Sequence, residues 1–220
     1  MPDDPRRDDT PADRRRRERL ARQLAAQAPP PVVAVLAGLP RHAFVPADCA
    51  DRAYDDACLP IWGGQTISQP SLIAAMLTAL DLRPGARVLD LGAGCGYAAA
   101  AIARLVGPTG RVLAVERLAV LAHRARTALA EHAPMVEVRH GDGTAPAADW
   151  GRFDAVHAAC ALAEIPAALL ALVEPGGRVV APIGRPDRDQ RLHVLRRSAR
   201  GWRRTLGPRV RFVPGLPGLG

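Results

Sequence analysis

The 220-residue sequence predicts an α/β protein built on a mostly parallel, doubly wound sheet. Three observations carry that prediction. From Arg87 onward, short β-branched runs alternate with alanine- and leucine-rich stretches of helical spacing. Two later apolar runs, "RLHVLRR" and "RVRFVP", follow without a helical pattern between them, whereas the earlier alternation of strand and helix means a parallel sheet covered on both faces. A glycine-rich turn, Gly92 to Gly96, joins the first run to the first helical stretch, and folds of this class bind ligands at that kind of turn.

The elements follow in order. Residues 1–16 alternate Asp, Arg and Pro and are expected to form a disordered charged tail. The run Arg14–Arg17 reads either as a solvated helix start or as a nucleic-acid handle. Leu20 and Leu24 stand four apart in an amphipathic helix over 18–27, and the prolines of "APPPVVAVLAGLP" end it and open another. Strands are predicted at "RVLDLG", "RVLAVE", "VEVRHG", "DAVHAA" and "RVVAPIG", with helices near Tyr97–Val106, Leu118–His132 and Ile165–Val173. "RLHVLRR" and "RVRFVP" have no helical pattern between them and suggest an antiparallel hairpin at one sheet edge. "GLPGLG" is expected to be a loose tail over 215–220. A single domain is therefore expected over 17–214: a cap and loop over 17–86, a cofactor-binding core over 87–184 and C-terminal strands over 185–214.

Composition narrows the function. Hydrophobic residues make up 48% of the chain, enough for a sizeable core, yet no apolar run approaches the ~20 residues of a membrane span. The charged N-terminus lacks the apolar segment of a secretory signal, so a cytoplasmic protein is expected. The four cysteines form no C-x-x-C pair, and no metal site is expected. A net charge of +8 suggests an anionic partner such as RNA. Every basic residue is arginine, however, which reads as GC-rich codon bias, and the expectation is against a nucleic-acid substrate.

Three strand ends carry the chemistry. Gly92, Gly94 and Gly96 form a turn that a ligand can approach closely. Tyr97 stands where a dinucleotide fingerprint has its third glycine, so a pyrophosphate ligand fits poorly. S-adenosyl-L-methionine has no pyrophosphate, and Asp90 is placed to help position its cationic methionine end. Glu116, twenty residues past Gly96, ends the next strand and suits ribose hydroxyls. Asp142 and Gly143 end the third, as an acceptor for an adenine amine and a space for its ring. Read without a ligand, these are three ordinary strand ends of a doubly wound fold.

"LPRHAFVP", "AYDDACLPI", "GQTISQP", "VLDLGAGCGY", "VERL", "GDGT" and "EIPAALLALVEPGGRVVAPIG" resemble, in order, the protein-L-isoaspartate (D-aspartate) O-methyltransferase family. The glycine loop is common to many methyltransferases, whereas "GQTISQP" is specific. The resemblance implies a Rossmann-like S-adenosylmethionine-dependent fold with an N-terminal helical cap and a variant order of the last strands. It places the active-site serine at Ser68, puts Thr66 and Ile67 beside the cofactor, and adds Ala93 and Arg117 to the cofactor-binding set. It further implies methyl transfer to the carboxylate of isoaspartyl residues in damaged proteins or peptides, after which succinimide formation allows repair. A monomer is expected. Read from the residues alone, Ser68 could instead cap a helix beginning near Pro70. The segment from Val156 to Pro166 departs from the family's pattern at His157, which, with Trp62 beside the loop, is a candidate substrate contact. Two alternatives remain open at this stage: the same chemistry on a dedicated biosynthetic peptide, and an RNA methyltransferase.

Overall fold

The computed structural model describes residues 9–185 and 189–220. The chain opens with α1 (Pro11–Leu24) and α2 (Pro30–Gly38), followed by two 3-10 turns at Arg41–Phe44 and Ala47–Arg52. Two short strands, β1 (Leu59–Pro60) and β2 (Thr66–Ile67), pair antiparallel and lead into α3 (Pro70–Leu80).

Helix α1 corrects part of the expected tail. Thr10 accepts from the Asp13 amide at 3.2 Å, the Asp13 carboxylate accepts from the Thr10 amide at 3.1 Å, and Pro11 sits in the first turn. This capping box starts the helix despite its charge, because it satisfies amides that otherwise lack partners. Asp13 is fully buried, and Leu20 and Leu24 seat the helix in the core. Arg17 turns back to Asp9 at 2.9 Å and Arg16 reaches Asp51 at 3.2 Å, so part of the arginine run is paired within the fold. The rest of the expected tail, residues 1–8, lies outside the described residues.

The main sheet comprises β3 (Arg87–Leu91), β4 (Arg111–Glu116), β5 (Val136–His140), β6 (Phe153–Ala158), β7 (Val173–Ile183), β8 (Gln190–Ser198) and β9 (Gly201–Val210), in the order β5-β4-β3-β6-β7-β8-β9. The first five named strands run parallel, and the last two add an antiparallel hairpin at the edge. Connections are made by α4 (Tyr97–Val106), α5 (Ala119–His132) and the short α6 (Ala167–Ala171). Alternation along β3 splits the core: Val88 faces the cluster formed with α3, α4 and α5, while Leu89 and Leu91 face the one that holds Trp150, Phe153 and Leu169. Among the described residues no helix is long and apolar enough to cross a membrane.

Two predicted boundaries move. The helix expected over Ile165–Val173 shortens to α6, since Pro166 occupies its cap and Val173 already pairs with Phe153. The second hairpin strand begins at Gly201, not at Arg209. Strand β9 is exposed along most of its length and so lacks the apolar alternation by which a strand is read.

The strand order reverses between β3 and β6, where the chain winds outward in both directions. Crevices at such reversals are where doubly wound folds bind ligands. Asp90 of β3 lies in register with His157 of β6 at this point.

Candidate active site

A cavity of about 310 Å³ opens at the carboxyl ends of β3, β4 and β6. That volume falls at the lower end of small-molecule sites. Its walls include Thr66, Ile67, Ser68, Gly92, Ala93, Gly94, Glu116, Arg117, Gly143 and His157. Of the site residues predicted from sequence, these ten line one cavity. Asp90, Gly96, Asp142 and Trp62 do not, and each has a different structural reason.

The glycine turn is stitched to the end of β4. The Gly92 and Ala93 amides donate to the Val115 carbonyl at 2.9 and 3.2 Å. The Gly94 amide donates to Glu116 Oε2 at 2.8 Å, and the Leu118 amide donates to Oε1 at 2.9 Å. Gly94 has φ +58, a conformation that side chains rarely tolerate. Gly96 supports the turn from behind: a Cβ there would lie 2.9 Å from Leu129 Cδ1 of α5, so glycine lets α5 pack against the start of α4. Glu116 is thus held by two backbone donors, and each carboxylate oxygen keeps a further lone pair for a ligand hydroxyl.

Asp142 stands behind the cavity wall. Its Oδ1 accepts from the Thr144 amide at 2.8 Å and from the Thr144 hydroxyl at 2.7 Å. Its Oδ2 accepts from the Gly218 amide at 2.6 Å. Burial works to raise its pKa, but the bonds from Thr144 and Gly218 outweigh that and hold the carboxyl below the ordinary range. The expected loose tail is therefore docked: Arg117 Nε donates to the Gly218 carbonyl at 3.0 Å, and the Gly220 amide to the Arg117 carbonyl at 3.0 Å. Upstream, the Ala161 amide donates to Val213 and the Gly215 amide to Ala161, at 2.8 and 2.7 Å. Buried Gln190 exchanges two bonds with the Phe212 backbone, at 3.1 and 2.7 Å. Phe212 to Leu216 consequently form one side of the cavity, a contribution that spacing in the sequence did not announce.

The uncharged loop is positioned by a residue the sequence reading passed over. Arg41 is completely buried, and its Nη2 donates to the Ser68 carbonyl at 2.8 Å. Its guanidinium lies 5.1 Å from the Tyr97 ring centroid, a cation–π geometry. Burial pulls the Arg41 pKa below its ordinary value. The motif "LPRHAFVP" carried the only sequence signal for this contact. Ser68 does not cap α3: the cap position is Gln69, and it makes no side-chain capping bond. Trp62 packs against the core under the guanidinium of Arg124, 4.6 Å from its ring centroid, off the cavity wall. The residue expected to meet substrate thus lies outside this cavity's wall.

Asp90 and His157 form a buried pair, 0% and 2% exposed, with Oδ1 and Nδ1 2.6 Å apart. Asp90 does not line the cavity wall; its Oδ1 is taken by His157, while its Oδ2 is buried without a hydrogen-bond partner among the described residues. His157 does line the cavity, and its Nε2 is buried without a hydrogen-bond partner among the described residues. Two thiols also line the cavity. Burial pushes Cys95 up to about 11 and Cys160 up to about 12, far from the thiolate form at neutral pH.

Residues 15–217 match the family model described as protein-L-isoaspartate (D-aspartate) O-methyltransferase. A protein-L-isoaspartate O-methyltransferase of Methylorubrum populi is 47% identical over 181 residues, covering 82% of this chain and 84% of the relative. One from Methanopyrus kandleri is 41% identical over 208 residues, with 91% of each chain covered. A solved protein-L-isoaspartate O-methyltransferase superposes with a TM-score of 0.83 at 26% identity, over 93% of this chain and 67% of the other. A Plasmodium falciparum structure in complex with S-adenosyl-L-homocysteine has the same fold, at a TM-score of 0.79 and 24% identity, over 93% and 98% of the two chains.

Proposed function

Since the chain belongs to the protein-L-isoaspartate (D-aspartate) O-methyltransferase family, we propose which of its residues carry that family's reaction. The chain is an S-adenosyl-L-methionine-dependent enzyme that methylates isoaspartyl residues in protein repair. S-adenosyl-L-methionine, when bound, supplies an electrophilic methyl group on sulfur. The cavity suits it on the geometry above: Glu116 keeps acceptor capacity for ribose hydroxyls, and the glycine turn leaves its backbone open to close approach. Ala93, Arg117 and Gly143 complete that side.

The observation that carries the assignment is the loop from Gly63 to Pro70, which has no ionisable side chain and reaches the cavity through Thr66, Ile67 and Ser68. A side-chain carboxylate has a pKa near ~4 and is already ionised at neutral pH, so the acceptor needs no general base. What the protein must contribute is orientation and exclusion of water. Ser68 offers a neutral donor to the acceptor carboxylate, and Arg41 fixes the backbone that carries it. Ser68 is assigned as the catalytic residue on this reasoning. His157, clamped by Asp90, offers its unpartnered Nε2 at the switch point and is assigned to the peptide beside the acceptor.

An assay with labelled S-adenosyl-L-methionine tests the reading. Offered an isoaspartyl peptide, its aspartyl twin and bulk RNA, the enzyme is expected to label the first alone. Equal labelling of the aspartyl peptide would point to a dedicated peptide substrate, and labelling of RNA would overturn the assignment.

A further inference from the structure

The chain's net charge of +8 is confined to one edge of the sheet. Residues 190–220 contain eight arginines and no acidic residue, leaving 22 basic residues against 22 acidic ones over 1–189. Arginine-for-lysine bias explains which cation is used, but not why the excess of basic over acidic residues falls wholly in 190–220. Among the described residues, exposed arginines without a carboxylate partner also occur in the body, as at Arg19 and Arg83, but there acidic residues balance them in sum. Arg191, Arg196, Arg203, Arg204 and Arg211 are exposed, and none of them pairs with a carboxylate among the described residues. Only Arg209 does, with Asp189 at 3.3 Å.

The register makes this arrangement unfavourable for the fold by itself. Arg196 stands directly opposite Arg203, and Arg191 opposite Arg209, and like charges facing across an antiparallel pair destabilise it. An anionic partner would remove that repulsion. The cations also have a direction. Arg191 pairs in register with Ile183 at the carboxyl end of β7, and Arg211 adjoins Phe212 of the cavity wall. Arg196 and Arg203 lie at the other end of a hairpin about 30 Å long. By strand alternation Arg196 and Arg203 project from one face of the hairpin and Arg191, Arg204 and Arg209 from the other, so the positive charge wraps the sheet edge from the cavity end outward.

We infer that the β8–β9 hairpin is a docking face for acidic stretches of polypeptide flanking the residue to be methylated. The inference rests on the repair reading above, which makes an extended polypeptide the substrate. The surface fits carboxylates of a polypeptide better than a nucleic acid strand. Its one aromatic residue, Trp202, is partly buried against the core, so no stacking platform accompanies the charge. Pro208 interrupts the donor row of the edge strand, so recognition runs through side-chain charge and not through sheet extension. Exposed cations of this kind raise association rates and weaken with salt.

The test uses the full chain and two fluorescent peptides with one isoaspartyl core, flanked by glutamates or by glutamines. Binding is read by anisotropy, and turnover with labelled S-adenosyl-L-methionine. The glutamate peptide is expected to bind about tenfold more tightly at low ionic strength, a margin that closes in ~0.5 M salt. In R196Q/R203Q/R204Q the margin should fall below about twofold, while kcat/KM for the glutamine peptide holds and the melting temperature, relieved of the Arg196–Arg203 repulsion, does not fall. Equal binding of the two peptides by the wild-type chain would overturn the inference. So would a preference that survives the triple substitution. A single-stranded RNA that displaces the glutamate peptide at lower concentration than the unlabelled peptide itself would reassign the face to nucleic acid. Failure to methylate either peptide would sink the repair reading, and the anisotropy arm would still decide the hairpin.

Discussion

At the scale of single residues, the site divides into groups that face the ligand and groups that hold them. Glu116 does both, because its oxygens already bind the Gly94 and Leu118 amides. Glu116→Gln replaces one acceptor with a donor that faces a donor. The expected loss in cofactor affinity is about 1–3 kcal/mol, read by calorimetry. Retained affinity would remove the ribose assignment. Ser68 has no part in capping α3, so Ser68→Ala should leave the melting temperature near its wild-type value. Its kcat/KM for an isoaspartyl peptide should fall by more than tenfold with cofactor affinity unchanged, since a positioning hydroxyl acts chiefly in the transition state. His157→Thr has two effects to separate. It strips Asp90 of its donor inside the core, which costs about 1–3 kcal/mol of stability. It also empties the place of Nε2. If the ring meets the peptide, the ranking of isoaspartyl and aspartyl peptides by kcat/KM shifts as well. A lowered melting temperature with an unchanged ranking would confine His157 to the core.

At the scale of elements, what was legible in the sequence follows from how far apart the interacting residues lie. The glycine turn and the strand-end acids could be read locally, since each sits at a fixed offset from its own strand. The bond from Arg41 to Ser68 spans 27 positions and the pair Asp90–His157 spans 67, so the sequence showed the residues but not their partners. The docked C-terminal segment was hidden for the same reason, with 76 positions between Asp142 and Gly218. Helix α1 was obscured differently: charge suggested disorder, and Thr10 and Asp13 had the capping spacing that outweighs it. Thr10→Ala should lower stability by about 1 kcal/mol in a denaturant titration. The Asp142 clip carries a pH dependence. Its folded pKa is depressed, so its stabilisation is fully present above the unfolded value of 3.8 and is lost as pH falls through the folded one. Amide exchange at Gly218 and Gly220 is expected to accelerate only below about pH 4, and in Asp142→Asn at neutral pH too. Slow exchange at Gly218 in that variant would mean that Arg117 alone holds the segment.

At the scale of the whole molecule, a charge-balanced body carries a cationic edge. Residues 1–189 are neutral in sum, while the hairpin and the segment after it hold the entire excess. Stability should therefore respond to ionic strength in an unusual direction. Salt weakens attractive ion pairs, but the exposed ones of the body, such as Arg139 with Glu137 and Asp149, contribute little, and the more buried ones, such as Arg17 with Asp9, are screened less. Repulsion across Arg196–Arg203 and Arg191–Arg209 is screened over the same range, because the Debye length shrinks from ~30 Å at 0.01 M to ~10 Å at 0.1 M. The second effect should win, and the melting temperature should rise as sodium chloride is raised over that interval. Arg203→Glu gives an independent reading, since it converts one facing pair from repulsive to attractive. It should raise the melting temperature at low salt and flatten its salt dependence. The opposing contribution is apolar: the arginine stems cover neighbouring surface, and a shorter glutamate uncovers it. A variant that melts earlier than wild type at every ionic strength would show that packing by the stem exceeds repulsion by the head. Arg203→Gln, which removes the charge without adding a new one, would then lie between the two.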